Sequence, residues 1–362
     1  MTSAVSERIV VAMSGGVDSS VAAALLVESG AETIGVTMRL SKSGSRCCSL
    51  EDADDARRVA ENLGIRFYVA NYVEAFGREV IEEFADAYLA VRTPIPCVVC
   101  NKQFKFDHLL ERAKAFGAHR VATGHYARVT HHPETSEARL YRAFDRLKDQ
   151  SYFLFSLSQE QLRAASFPIG EMSKQEVREC ARGLGLATAS KPESQEICFV
   201  PDGNYADVVE QIRPEAASRE GEIVDASGAV LGRHRGIHRF TVGQRHGLGI
   251  ASNRRLYVVR LDPGLRRVIV GDVSDLDCAG ARVDQVNWIS GRAPRHTLRV
   301  RVQVRHRHSA VLAKLDAVGK DAASIRFDEP VRAVAPGQAA VFYDAERDEE
   351  VIGGGWIVES IR

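Results

Sequence analysis

The stretch that most limits what this chain can fold into lies near its start. Arg8 to Ser20 reads R-I-V-V-A-M-S-G-G-V-D-S-S, a short apolar run that ends in two glycines and passes straight into the helix-forming residues Asp18 to Glu28. Glycines 15 and 16 let the backbone turn sharply and approach a ligand without side-chain obstruction. Ser14, Ser19, Ser20 and the first N–H groups of the helix are then placed to donate to a phosphate. The loop has no G-x-x-x-x-G-K-[ST], so it is not the kind that grips β and γ phosphates with a lysine. A chain that opens this way begins an α/β sheet.

The alternation continues. Thr33 to Leu40 and Ile65 to Ala70 read as strands, and Glu51 to Leu63 as a charged amphipathic helix. Val73 to Val91 and Lys102 to Phe116 read as further helices, and Arg120 to Thr123 as a short buried strand that ends at Gly124. Strand, helix, strand in this order predicts a parallel sheet with crossover helices. Such sheets take ligands at the carboxyl ends of their strands. Ser173-Lys-Gln-Glu176 is a capping box that opens a helix to about Leu184.

After about Pro201 the pattern changes. Asn204 to Ile212 is a last short helix, and the turn residues Asp225 to Gly228 and Asp262 to Gly264 then punctuate short strands. From Thr297 the alternation has period two, with Leu298, Val300, Val302 and Val304 against Arg299, Arg301, Gln303 and Arg305. One face is therefore buried and the other basic. With Ala322 to Phe327, Ala339 to Tyr343 and Val351 to Glu359, this region reads as a small all-β barrel or sandwich, a C-terminal β-barrel being the expected form. The expected domains are 1–200, 201–278 and 279–362.

Composition agrees with a multidomain globular chain. At ~100–200 residues per domain, 362 residues make two or three domains, and 45% hydrophobic residues are enough to bury cores. No apolar run approaches the ~18 residues of a membrane span, and Met1 to Arg8 is too polar for a signal peptide. The expectation is a soluble cytoplasmic protein with no membrane partner. The zero net charge is a sum of unlike parts: Leu231 to Ala310 holds sixteen arginines, five aspartates and no lysine. That excess of basic charge points to a polyanionic partner.

The phosphate loop resembles that of the PP-loop ATP pyrophosphatases, which split ATP between its α and β phosphates. The resemblance implies that AMP is transferred to a carbonyl or amide oxygen, that the loop cradles pyrophosphate, and that Asp18 helps to hold Mg²⁺. The fold it implies for the first domain is the parallel sheet of the adenine nucleotide alpha hydrolases.

Seven cysteines stand at 47, 48, 97, 100, 180, 198 and 278. An odd count in a chain this long argues for thiols rather than a disulfide framework. Thr93-Pro-Ile-Pro-Cys97-Val-Val-Cys100-Asn101 is expected to be a loop stiffened by Pro94 and Pro96. Cys100 would then stand just before a helix, whose N-terminus favours the thiolate. A third relevant thiol, Cys198, follows about a hundred residues later. Alone, the Cys-x-x-Cys reads as a redox pair, half of a zinc site, or two buried small residues. Cys47 and Cys48 read as loop thiols, Cys180 and Cys278 as packing residues, and His131 and His132 as solvated. An enzyme that activates an oxygen with ATP and owns reactive thiols is equipped to replace that oxygen by sulfur.

Along its whole length the chain is similar to the tRNA-specific 2-thiouridylases. The matching stretches are Ala12 to Ser20, Thr93 to Asn101, Thr123 to Tyr126, Lys148 to Phe153, Ile197 to Phe199, Gly243 to Gly249 and Ala335 to Tyr343. By this resemblance Ala12, Met13, Ser14, Gly15, Gly16, Val17, Asp18, Ser19, Met38 and Gly124 form the ATP site. Cys100 stands at the nucleophile's position and Cys198 at that of the persulfide carrier, the two forming a disulfide as sulfur is delivered. Ile95, Pro96 and Cys97 match the segment that meets the target base. His125, Lys148, Asp149, Gln150, Arg305, His306 and Gln338 fall where the family touches tRNA. The implied product is 2-thiouridine at the wobble position (34) of the lysine, glutamate and glutamine tRNAs. The implied sulfur source is a cysteine desulfurase or sulfur-relay protein.

Two departures bear on chemistry. Many members have Pro-Asp where this chain has Pro96-Cys97, and Ile95 replaces a common asparagine. Cys97, Cys100 and Cys198 would also suit three corners of a [4Fe–4S] cluster with one iron open to sulfide. Two readings from other classes are a PP-loop amidating ligase, for which the thiols would be dispensable, and a tRNA-binding protein without catalysis.

Overall fold

The structure is a computed structural model and describes residues 7–41, 50–192, 197–200, 203–218 and 220–362. Cys47 and Cys48 lie outside the described residues. In chain order the first elements are β1 (Arg8–Ala12), α1 (Val17–Glu28), β2 (Glu32–Arg39), α2 (Leu50–Asn62) and β3 (Arg66–Asn71). Helix α3 runs through Val73–Phe76, Gly77–Glu82 and Glu83–Leu89, its middle segment wound as a π-helix. Helix α4 is built the same way from Pro96–Val99, a π-wound Cys100–His108 and Leu109–Ala115. Then come β4 (Arg120–Thr123), the hairpin β5 (Ala127–His131) and β6 (Ala138–Arg142), α5 (Gln159–Ala164), β7 (Ala165–Ser166) and α6 (Lys174–Gly183).

The sheet has the order β3-β2-β1-β4-β7, and its pairs are parallel, as the alternation predicts. Val10, Ile34, Val36 and Val121 are wholly buried in it because helices cover both faces. Chain order reverses at β1, which pairs with β2 on one side and β4 on the other. The carboxyl ends of β1 and β4 thus form the switch point where such sheets bind ligands. The capping box of α6 is present, with the Ser173 hydroxyl accepting from the Glu176 N–H and the Glu176 carboxylate accepting from the Ser173 N–H.

One expected boundary is corrected. The Cys-x-x-Cys segment is not a loop before a helix at Lys102, because α4 already begins at Pro96. A proline is tolerated at a first helical position, where its missing N–H would have no partner and its φ suits the helix. Cys100 therefore sits in the second turn, and the helix-terminus argument applies to Cys97 instead.

Beyond α7 (Tyr205–Ile212), strands β8 (Gly221–Val224), β9 (Val230–His234), β10 (Tyr257–Asp262) and β11 (Arg267–Gly271) form a sheet of order β10-β11-β8-β9. The last six strands, β12 (Asp277–Trp288), β13 (Leu298–Gln303), β14 (Val311–Val318), β15 (Ala322–Arg332), β16 (Ala339–Asp344) and β17 (Val351–Ile361), close into a barrel. Val300 and Val302 of β13 point inward as the alternation predicts. The outward arginines are partly committed: Arg299 pairs with Asp328, and Arg301 and Arg305 donate to the carbonyls of Ala345 and Arg332. Gln303 departs from the pattern, being buried against Arg142 of the first hairpin. Cys278 is buried and Cys180 partly so, which suits packing roles. Among the described residues, no helix is long and apolar enough to cross a membrane.

Candidate functional site

A cleft of about 400 Å³ opens at the carboxyl ends of β1 and β4. Its floor is the turn from Ala12 to Ser19. Gly15 has φ +70°, and a Cβ there would overlap the backbone carbonyl of Asp52 in α2. Gly124, at the end of β4, lies so close to α1 that a Cβ would come within 2.5 Å of the Ser19 nitrogen. Both positions need glycine for backbone approach. Among the described residues no side chain caps α1, so its first N–H groups face the cleft that Gly16, Val17, Asp18 and Ser19 line. Ser20 is corrected: it is wholly buried, and its hydroxyl donates to the Gly16 carbonyl at 2.9 Å. Ser19 donates to the same carbonyl and accepts from the Ser14 N–H, which fixes the turn.

Gly15→Ala places a β-carbon in a left-handed conformation and against backbone at once. We expect it to lower stability by about 1–3 kcal/mol and to abolish nucleotide binding. Thermal denaturation and ATP titration by calorimetry check this.

The cleft's charges come from distant parts of the chain. The Asp18 carboxylate accepts from Lys174 Nζ at 2.7 and 2.9 Å and from the Tyr126 hydroxyl at 2.8 Å. Lys191 donates to Asp52 at 2.7 Å and to Asp55 at 2.6 Å. Lys105 and Lys148 also line the cavity. A space edged by lysines at a helix N-terminus suits the phosphates of a nucleotide.

The thiols line the same cleft as the phosphate loop. Cys97 is exposed, Cys100 half-buried, and both line the cavity from α4. Asn101 anchors that helix, donating to the Phe153 carbonyl at 3.1 Å. Cys198 reaches the same cavity from another segment, which Phe199 fixes by packing edge-on against Phe76 and Phe84 of α3. Among the described residues, no three His, Cys, Asp or Glu side chains gather in a metal-holding set. Cys97, Cys100 and Cys198 all line the one cavity without forming such a set. Asp18 is a different case, since Mg²⁺ is commonly held by one or two carboxylates plus the substrate's own phosphates.

His125 is buried, and its Nδ1 lies 2.6 Å from Thr123 Oγ1 while its Nε2 lies 3.3 Å from Lys105 Nζ. An ammonium only donates, so Nε2 accepts and Nδ1 carries the proton given to Thr123. Burial, aided by the neighbouring lysine, holds this imidazole well below the usual histidine pKa. The unfolded chain protonates this residue near pH 6.5 and the fold resists doing so. Stability is thus fully present above about pH 6.5 and declines as pH falls below it, by about 1.4 kcal/mol per pH unit. We expect the thermal midpoint to drop between pH 7 and pH 5, with a shallower slope in His125→Asn.

The remaining expected site residues lie differently. Pro96, Met38, Lys148 and Gln150 line the cleft, with the Gln150 carbonyl oxygen accepting from the Tyr126 N–H. Ile95 faces a neighbouring cavity of about 740 Å³ between α3, α4 and the barrel. Asp149 is buried under Arg142, Ser151 and the Ala143 N–H. The His306 ring lies tilted against Phe153 at 4.6 Å, and Gln338 donates to the Thr93 carbonyl. Arg305 is half-buried at the barrel rim. Lys105, Asn101, Tyr126, Lys174 and Lys191 line the cleft without having been singled out. Lys174 was visible only as a capping-box residue, and Lys105 only as a position in a helix.

Residues 7–202 match the family model described as tRNA methyl transferase HUP domain. Residues 207–272 match the PRC-barrel domain of the same family, and residues 279–357 match the aminomethyltransferase beta-barrel domain. A tRNA-specific 2-thiouridylase MnmA of Solibacter usitatus is 49% identical, covering 97% of this chain and 99% of its own length. The chain belongs to the tRNA-specific 2-thiouridylase MnmA family. Further family members from Geobacter metallireducens and Rhizorhabdus wittichii are 49% and 51% identical, over 99% and 97% of this chain and 98% and 91% of theirs. The three matched units account for the α/β sheet, the middle sheet and the closed barrel in turn.

Proposed function

We propose that this chain is a tRNA-uridine 2-sulfurtransferase that forms 2-thiouridine with ATP. The observation that carries the reading is that one cleft holds both the PP-loop and two thiols distant in sequence, Cys100 and Cys198, in a chain of the 2-thiouridylase family. The uridine O2 attacks the α-phosphorus of ATP and pyrophosphate leaves. The α1 N-terminus and the turn around Gly15 hold that pyrophosphate, and Lys174 and Lys191 border it. Mg²⁺, when bound at Asp18, neutralises phosphate charge and would compete with Lys174 for the carboxylate.

The adenylated C2–O bond now has AMP as a good leaving group. Cys198 carries a persulfide received from a cysteine desulfurase or relay protein. Its terminal sulfur attacks C2, and AMP leaves with the former oxygen. The Cys100 thiolate then attacks the Cys198 sulfur, breaking the S–S bond and leaving sulfur on C2 while a Cys100–Cys198 disulfide forms. An external dithiol supplies the two electrons that reset the pair.

The target is the wobble uridine of the lysine, glutamate and glutamine tRNAs, since an anticodon loop offers unstacked bases to a cleft. Pro96 and Cys97 meet that base, and Lys148, Gln150, Arg305 and His306 contact the RNA around it. Three domains, 1–200, 201–278 and 279–362, would divide these tasks. Pyrophosphate and AMP release from ATP, dependent on unthiolated tRNA, tests the first step. Release of ADP and inorganic phosphate instead would overturn it.

A further inference from the structure

The cleft holds a cation whose surroundings differ from those of its neighbours. Lys174 is neutralised by Asp18, and Lys191 by Asp52 and Asp55. Lys105 instead meets the His125 ring at 3.3 Å, and among the described residues no carboxylate reaches it. The ring is itself fixed, since Nδ1 is 2.6 Å from Thr123 Oγ1 at the end of β4. Packing against Phe167, edge-on at 6.1 Å, closes its other side.

The winding of α4 decides what this cation faces. The segment Cys100–His108 is a π-helix, in which hydrogen bonds close between residues five apart. Residues i and i+5 then lie roughly one turn above each other, whereas in an α-helix they would diverge around the axis. Cys100 and Lys105 are five apart, and both line the cleft. Among the described residues, the other charged side chains of this cavity are Asp18, Asp52, Lys148, Lys174 and Lys191, and the other thiols are Cys97 and Cys198. Because Cys100 sits in the second turn, the helix terminus does little for its sulfur. A nearby ammonium is the alternative means of favouring a thiolate.

We propose that Lys105 is the positioning residue that holds the Cys100 sulfur in its charged form, and that His125 fixes Lys105 for this task. His125 is thereby assigned to the inside of the cleft rather than to contact with tRNA. The neutral ring suits the role, because an imidazolium would repel the ammonium it must hold. The inference rests on Cys100 acting as the nucleophile of the proposed reaction.

The test is the pH profile of Cys100 alkylation by iodoacetamide in the full-length protein, read by tandem mass spectrometry on fragments that separate Cys100 from Cys97. We expect Lys105→Met to move the profile's midpoint up by about one pH unit and to slow alkylation at pH 7 about tenfold. Lys105→Arg keeps the charge and should restore most of the rate, while His125→Asn should fall between. Lys105→Gln is a second charge-removing variant should the methionine protein fail to fold. A charge-removing variant whose profile coincides with that of the unaltered protein overturns the proposal. So does an arginine variant displaced as far as the methionine one. The assay contains neither tRNA nor ATP, so its failure leaves the thiolation reading standing, and a failure of thiolation leaves the assay readable.

Discussion

Cys198→Ser should yield no 2-thiouridine, yet should still release pyrophosphate from ATP when unthiolated tRNA is present. The two halves of the reaction use different walls of one cleft. The phosphate loop, the start of α1 and the lysines line the cleft, which Cys198 enters from a separate segment held by Phe199. Losing the sulfur carrier leaves the activating half intact. Cys100→Ser should fail at a later point: the sulfur that has attacked C2 stays bonded to Cys198, so labelled sulfur is held in a protein–tRNA adduct. Each loss of product should be on the order of 10³-fold or more, the scale of removing a nucleophile. Nucleoside mass spectrometry and protein-bound radiolabelled sulfur read both. Full 2-thiouridine formation in either variant would show that sulfur reaches C2 by a route that does not need that thiol.

The second large effect is on stability. Arg142→Ala should lower it by about 3–5 kcal/mol, because it strands a buried carboxylate. Arg142 sits at the end of β6 with its side chain only 10% exposed, and the partner Asp149 side chain is 6% exposed. Its guanidinium donates to Asp149 at 2.8 Å, to Gln303 of β13 at 3.1 Å and to the Asp348 carbonyl at 3.1 Å. It also lies 3.4 Å from the ring centre of Tyr343 in β16. This single side chain therefore joins the α/β half to the barrel. Calorimetry should show a drop in thermal midpoint of about 10 °C. The double change Arg142→Met with Asp149→Ala should recover much of it, since no charge is then left unpaired. A single variant within about 2 °C of the unaltered protein would show that the junction is held elsewhere.

Local signals made much of this molecule legible. The Gly-Gly turn between an apolar run and a helix announced the phosphate loop, and period-two alternation announced β13. The prolines at 94 and 96 misled, because the same residue that punctuates loops also starts helices, and α4 begins on Pro96. What stayed hidden is non-local. Lys174 meets Asp18 across 156 positions, and Arg142 meets Gln303 across 161. Asp149, in a Lys-Asp-Gln triplet, reads as surface until Arg142 is seen to cover it. Arg299 reads as a free basic side chain until Asp328 is placed beside it. The π-winding of Cys100–His108 leaves no recognisable mark in the residues themselves.

The most direct test of the central claim is nucleoside mass spectrometry of unthiolated lysine, glutamate or glutamine tRNA. The reaction contains the purified iron-free protein, Mg-ATP, cysteine, a cysteine desulfurase and a dithiol. The account predicts 2-thiouridine at position 34, formed only with ATP. A competent tRNA and a working sulfur donor that still give no 2-thiouridine would contradict it.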